Sequence, residues 1–146
     1  YYNIFTFTDI ALAKGVWSEA VSSDRVAGGI SVGGNSCNGE ILKINAIRTS
    51  DNKACELMLQ SLPTGNNRTE VSIFFKELDN NTAYTPTKFA EHWEKGMIVS
   101  DRGSAYSTMI LQDDGRIGFL YEEEPNDYCI VYISLSIEEI TNGKYK

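Results

Sequence analysis

The chain is 146 residues long, with 42% hydrophobic and 23% charged positions, the balance of a folded chain and not of intrinsic disorder. Its 13 Lys plus Arg against 20 Asp plus Glu leave a net charge of −7, which repels phosphate and argues against nucleic acid or an anionic membrane surface as a partner. Apolar runs stop at about five residues, as in Cys129-Ile130-Val131-Tyr132-Ile133, far short of the roughly 20 that a membrane span needs.

The chain opens on Tyr1-Tyr2-Asn3-Ile4, with no Met and no signal peptide, inside what reads as a strand, so a fragment of a longer protein is expected. Phe5 and Phe7 share one face of that strand, and Ile4, Thr6 and Thr8 share the other. Thr8-Asp9 followed by Gly15-Val16-Trp17 resembles a stretched Asp box, a hairpin in which the Asp ties the turn and the Trp packs between strands. Further strands are expected over residues 40–47, 54–60 and 69–78, each bounded by Gly, Asn, Asp or Pro. Thr85-Pro86 predicts an N-cap with proline at the first helical position, and Gly96 a helix stop, so that Phe89 and Trp93 share a helix face with His92 beside them. Strands over 105–111, 116–122 and 128–134 follow, joined by an Asp113-Asp114-Gly115 hairpin and a Glu124-Pro125-Asn126-Asp127 turn. Ser136 with Glu139 forms a capping box for a second short helix, which Asn142-Gly143 ends.

The expected fold is therefore all-β, a series of antiparallel meanders with two short helices. Strands apolar on both faces, such as 128–134, imply sheets stacked face to face, in a sandwich or a propeller. A propeller blade takes roughly 40–45 residues and a propeller at least four blades, so the chain would supply about three blades at most. No charge run, low-complexity tract or linker divides it, and residues 1–146 read as one piece without an internal boundary.

Single histidine His92 removes any mechanism or metal site that needs two. Cys37, Cys55 and Cys129 form neither a disulfide framework nor a Cys-x-x-Cys pair, so no metal and no cofactor is expected. Three polar residues in strand patterns stand out. Tyr106 lies among the small residues of Ser104-Ala105-Tyr106-Ser107, where its phenol has room to face a cleft; the competing reading is a core tyrosine. Arg68 follows the turn Gly65-Asn66-Asn67, at a strand mouth where a guanidinium can clamp a carboxylate; a solvated surface arginine is the alternative. Glu122 ends Gly118-Phe119-Leu120-Tyr121 and could orient an arginine, although Glu122-Glu123-Glu124 also suits a solvated rim.

Ser104-Ala105-Tyr106-Ser107, the Asp-Gly hairpin, Gly118-Phe119-Leu120-Tyr121-Glu122 and Tyr128-Cys129-Ile130-Val131-Tyr132 together resemble the end of a bacterial exo-α-sialidase of glycoside hydrolase family 33. The resemblance extends upstream through Leu59-Gln60-Ser61-Leu62-Pro63 and Cys37-Asn38-Gly39-Glu40 to the Asp-box remnant. It implies the C-terminal part of a six-bladed β-propeller, in which Tyr106 matches the nucleophile and Arg68 one of three arginines that bind the sialic acid carboxylate. Glu122 matches the acid that holds another of those arginines. Asn38 falls where many relatives have Gln-Gly-Ser beside the substrate, with Asn and Glu here replacing Gln and Ser.

The implied reaction is retaining hydrolysis of terminal sialic acid from glycoconjugates. A neutral phenol suits it, since a carboxylate nucleophile would be repelled by the carboxylate on the sugar's anomeric carbon. A phenol of ordinary pKa, about 10, needs a neighbouring base. That glutamate, the general-acid aspartate and two of the three arginines have no counterpart in the chain, so it is expected to turn over negligibly alone. The implied partners are sialylated glycans and the remainder of a parent sialidase, and the implied location is secreted, periplasmic or at a bacterial cell surface. A third reading, for a chain that stands alone, is that two such arcs pair as a homodimer to close a ring, because an open arc exposes sheet faces. The rival expectation is a non-catalytic module of propeller or sandwich type that binds glycans or proteins.

Overall fold

The computed structural model describes residues 1–33, 37, 39–124 and 128–146. The chain is mostly β, with antiparallel sheets and two short helices, and divides into two compact units, Tyr1–Ser31 with Asn80–Trp93, and Val32–Asp79 with Glu94–Lys146.

In the first unit, β1 (Phe5–Asp9) and β2 (Lys14–Trp17) form a hairpin with Phe5 opposite Trp17 and Phe7 opposite Gly15. Asp9 Oδ1 accepts the Leu12 N–H at 3.1 Å and ties the turn. Trp17 is not packed between strands: it stays largely exposed, with its ring 4.9 Å from that of Phe5. A side chain at position 15 would collide with the Thr6 carbonyl and the Phe5 ring, so glycine there lets Phe5 lie across the hairpin. Elsewhere in the unit, Tyr2 is buried against Phe89 and Trp93, whose ring centroids lie 5.2 and 6.1 Å away.

Helix α1 spans only Pro86–Ala90, capped by Thr85 Oγ1, which accepts the Lys88 N–H at 3.3 Å. The expected stop at Gly96 is wrong, and so is the helical placement of His92 and Trp93. The chain leaves the helix at Glu91, His92 takes φ 57°, and the His92 and Trp93 amides donate to Ala27 and Gly28 carbonyls instead. Phe89 and Trp93 still meet, because the Trp93 indole N–H donates to the Phe89 carbonyl at 2.9 Å.

The second unit stacks two sheets. One has the order β3 (Glu40–Arg48), β4 (Lys53–Pro63), β5 (Val71–Leu78), β6 (Glu94–Ser100), and the other β7 (Ser104–Leu111), β8 (Ile117–Glu123), β9 (Cys129–Leu135). Both are meanders of sequential antiparallel strands. Period-two alternation sends Ile44, Leu57, Leu59, Ile73 and Phe75 from the first sheet and Met109, Ile117, Phe119 and Tyr121 from the second into one core. Gly96 belongs to β6, where a Cβ would come within 2.2 Å of the Ile140 carbonyl oxygen. Absence of a side chain is what lets the Ile140 backbone approach that strand. Helix α2 (Ile137–Ile140) carries the expected capping box, with Ser136 Oγ accepting the Glu139 N–H at 3.1 Å, and it buries Ile140. The hairpin between β7 and β8 turns at Gly115, φ 81°. The Glu124-to-Asp127 turn falls partly outside the described residues.

The C-terminus extends the first sheet. Ile47 and Lys146 exchange both backbone hydrogen bonds, at 2.7 and 2.9 Å, beside an Arg48–Tyr145 bridge. Tyr145 lays its ring edge-on to Phe75 and donates its hydroxyl proton to Glu77 Oε2 at 2.9 Å. Arg48 grips the same carboxylate with Nε at 3.0 Å and a second nitrogen, and reaches Asp51 at 2.7 Å.

The expectation that β9 is buried on both sides holds for one face alone. Val131, Ile133 and Leu135 turn inward, whereas Ile130 and Tyr132 are 59% and 54% exposed. With Ile110 and Leu120 they give the second sheet an open apolar outer face. No helix among the described residues is long and apolar enough to cross a membrane.

Candidate functional site

Tyr106 is on the surface, 52% exposed, on the outer face of the second sheet. Its outward face is the one that alternation gives Thr108 and Ile110, and a break in register lies beside it. Ser104 pairs with Glu123 and Ser107 with Tyr121, so Ala105 and Tyr106 together oppose Glu122 alone. This is a β-bulge, which bends the strand and re-aims a side chain. Beyond the bulge, Ser107 Oγ meets the fully buried Ser61 Oγ of β4 at 2.8 Å, tying β7 to the facing sheet.

Tyr106 and Glu122 line one pocket of about 160 Å³, floored by Thr108, Leu120 and Ile130. The Glu122 carboxylate accepts the Tyr106 backbone N–H at 3.3 Å. Among the described residues the Tyr106 hydroxyl makes no hydrogen bond, and the one carboxylate lining the pocket is that of Glu122. Behind it, Tyr121 is buried and donates to Glu123 at 3.2 Å; burial pushes its phenol up, and the Glu123 charge adds to this.

Arg68 ends a one-turn 3-10 segment between β4 and β5, half-buried. Asn67, Arg68 and Glu70 all take positive φ, near 56–60°, unusual for residues with side chains. The turn closes on Gly65, whose N–H donates to the Thr69 carbonyl at 2.8 Å. The Arg68 charge acts on Tyr128, at the mouth of β9. That phenol is raised by burial first and then by the charge and hydrogen bond of Glu124, with Arg68 opposing the rise. Glu124 in turn lies over Gly103, where a Cβ would come within 2.5 Å of its carboxylate.

The residues singled out from sequence thus fall into two groups. Tyr106 and Glu122 are neighbours in one pocket, whereas the Arg68 charge acts on Tyr128, and no hydrogen bond or ion pair joins Arg68 to Tyr106 among the described residues. Glu122 bonds the Tyr106 backbone, and no arginine pairs with it among the described residues. Asn38 lies outside the described residues. Its neighbours are placed: Glu40 accepts the Met109 N–H, and the Cys37 thiol donates to the Ala105 carbonyl at 2.9 Å.

Sequence reasoning passed over Tyr128, Glu124 and Cys37 as site residues. A tyrosine just after one turn that feels the charge of an arginine from another is visible only once the strands are paired. Among the described residues no group of three His, Cys, Asp or Glu side chains could hold a metal ion. No family model and no curated protein matches the chain.

Proposed function

We propose that the chain is the C-terminal part of an exo-α-sialidase, contributing the tyrosine nucleophile and one arginine of the carboxylate clamp. The observation that carries this reading is the outward Tyr106 phenol, set on a bulge at the rim of a pocket beside Glu122. Tyrosines that merely fill a core, such as Tyr121, are buried here; Tyr106 is not. The two stacked meanders support an arc of a propeller, and the open apolar face over Leu120, Ile130 and Tyr132 supports a further sheet packing there.

In this reading the phenolic oxygen attacks the anomeric carbon of a terminal sialic acid as the glycosidic bond breaks, giving a tyrosyl intermediate that water hydrolyses with net retention. The phenol proton passes to a base outside residues 1–146. A chain of net charge −7 repels an anionic sugar at long range, so local positive charge must hold the substrate carboxylate. Arg68 supplies one such charge, and a guanidinium can form two parallel hydrogen bonds to a carboxylate.

The test is Tyr106→Phe in the full-length enzyme that carries this chain, assayed on an aryl α-sialoside. Loss of the nucleophile is expected to lower kcat by at least ~10³-fold with the fold intact. Unchanged turnover would refute the reading and favour a binding module.

A further inference from the structure

The peptide unit that precedes Tyr106 is held at both of its polar ends by side chains. Its carbonyl, on Ala105, accepts the Cys37 thiol proton at 2.9 Å, and its amide, on Tyr106, donates to Glu122 Oε2 at 3.3 Å. A bulge removes ladder partners from the backbone it displaces; the half-buried Ala105 carbonyl must then find another, and the solvent-exposed Tyr106 amide finds one in Glu122. Here the two replacements come from opposite sides, one from β8 and one from the segment ahead of β3. On the next residue, the Ser61–Ser107 contact fixes the strand against the facing sheet. The plane of this peptide sets the direction of the Tyr106 Cα–Cβ bond, and so where the phenol oxygen stands.

We infer that Glu122 and Cys37 are positioning residues for Tyr106, gripping the bulged peptide and thereby aiming the phenol into the pocket. The inference rests on the sialidase reading for its catalytic consequence, but the grip itself is a property of this chain. It assigns Glu122 the part of a hydrogen-bond acceptor, for which the negative charge is dispensable. Gln presents the same acceptor oxygen without charge, and Ala presents none. A residue that acted as counter-ion to an arginine would lose its effect in both variants.

Two readouts separate the grip from the reaction. In the 146-residue chain, Tyr106 amide exchange measured by NMR is expected to quicken about tenfold in Glu122→Ala, as befits one lost hydrogen bond, and to stay within about threefold in Glu122→Gln. Cys37→Ala is expected to quicken it too, and Cys37→Ser, which keeps a donor, to restore it. In the full-length enzyme, Glu122→Ala is expected to lower kcat about 10–100-fold with KM little changed, and Glu122→Gln to recover most of it. Equal losses in Gln and Ala with a raised KM would overturn the inference in favour of a charge role, as would unaltered Tyr106 exchange in Glu122→Ala. An active Tyr106→Phe enzyme would overturn the sialidase reading, and with it the catalytic role, whatever the exchange data show for the grip.

Discussion

Removing one hydroxyl, by Tyr145→Phe, tests how the C-terminus is fastened. The ring stays edge-on to Phe75, and the backbone bonds between Ile47 and Lys146 are untouched, so the change isolates the 2.9 Å bond to Glu77. A hydrogen bond to a charged carboxylate contributes about 1.5–3 kcal/mol. Glu77 keeps 28% of its side chain exposed, so water replaces part of the lost bond and the expected loss near neutral pH is about 1 kcal/mol.

The pH dependence sharpens the test. Burial, then the hydrogen bond and charge of Glu77, push the Tyr145 phenol up to about 12. A phenol raised in the folded state keeps its proton there after the unfolded chain has lost it. Its stabilisation is therefore complete below about pH 10 and is lost as pH climbs through 12. Two units would be about 2.7 kcal/mol at most, and solvent screening at the Glu77 carboxylate, 28% exposed, lowers this to about 1 kcal/mol. Urea unfolding followed by far-ultraviolet circular dichroism at pH 7, 9 and 11 measures both effects. Wild type is expected to approach the variant as pH rises. A variant within about 0.3 kcal/mol of wild type at pH 7, with the same alkaline slope, would refute the proposed fastening.

Glu77→Gln tests the acid side of the same cluster. Arg48 chiefly, with help from Tyr145, holds the Glu77 carboxyl below its usual range, so its stabilisation is present above the unfolded pKa and lost as pH falls through the folded one; wild type and variant should differ near pH 7 and converge in acid unfolding. Gly96→Ala must push a Cβ against the Ile140 and Ile73 carbonyls and is expected to lower stability by at least about 2 kcal/mol in urea titration. Gly115→Ala meets no atom within 4 Å but has φ +81°, so a loss of only about 1 kcal/mol is expected; equal losses at the two sites would contradict the packing described. Ile130→Lys, on the open face, should change stability by less than about 0.5 kcal/mol and reduce any self-association seen by sedimentation.

Strands of the second unit were legible because alternation and turn residues agree with one another. Residues 40–47, 105–111 and 116–122 are each recovered within a residue or so as β3, β7 and β8. Strand β6 was hidden by Gly96: a glycine ten residues after a helix start reads as a stop, and only the close approach of the Ile140 backbone reveals why it sits in a sheet. The outer face of β9 was misjudged for a related reason, since apolar residues announce burial whether or not a neighbour is there to supply it. At the site, residue type marked out Tyr106 and Arg68, but the bulge at Ala105 and Tyr106 depends on a two-against-one register across β7 and β8. Cys37, 68 residues from the carbonyl it bonds, could not be placed by local pattern at all.

Both tryptophans, Trp17 and Trp93, fall in the first unit, one largely exposed and the other buried. Intrinsic fluorescence excited at the red edge therefore reports directly on the first unit, and Tyr106 and Arg68 lie in the second. Tyr132→Trp on the open face, in a Trp17→Phe, Trp93→Phe background, would move the red-edge fluorophore into the second unit. Wild type and that variant would then each report the unfolding of one unit.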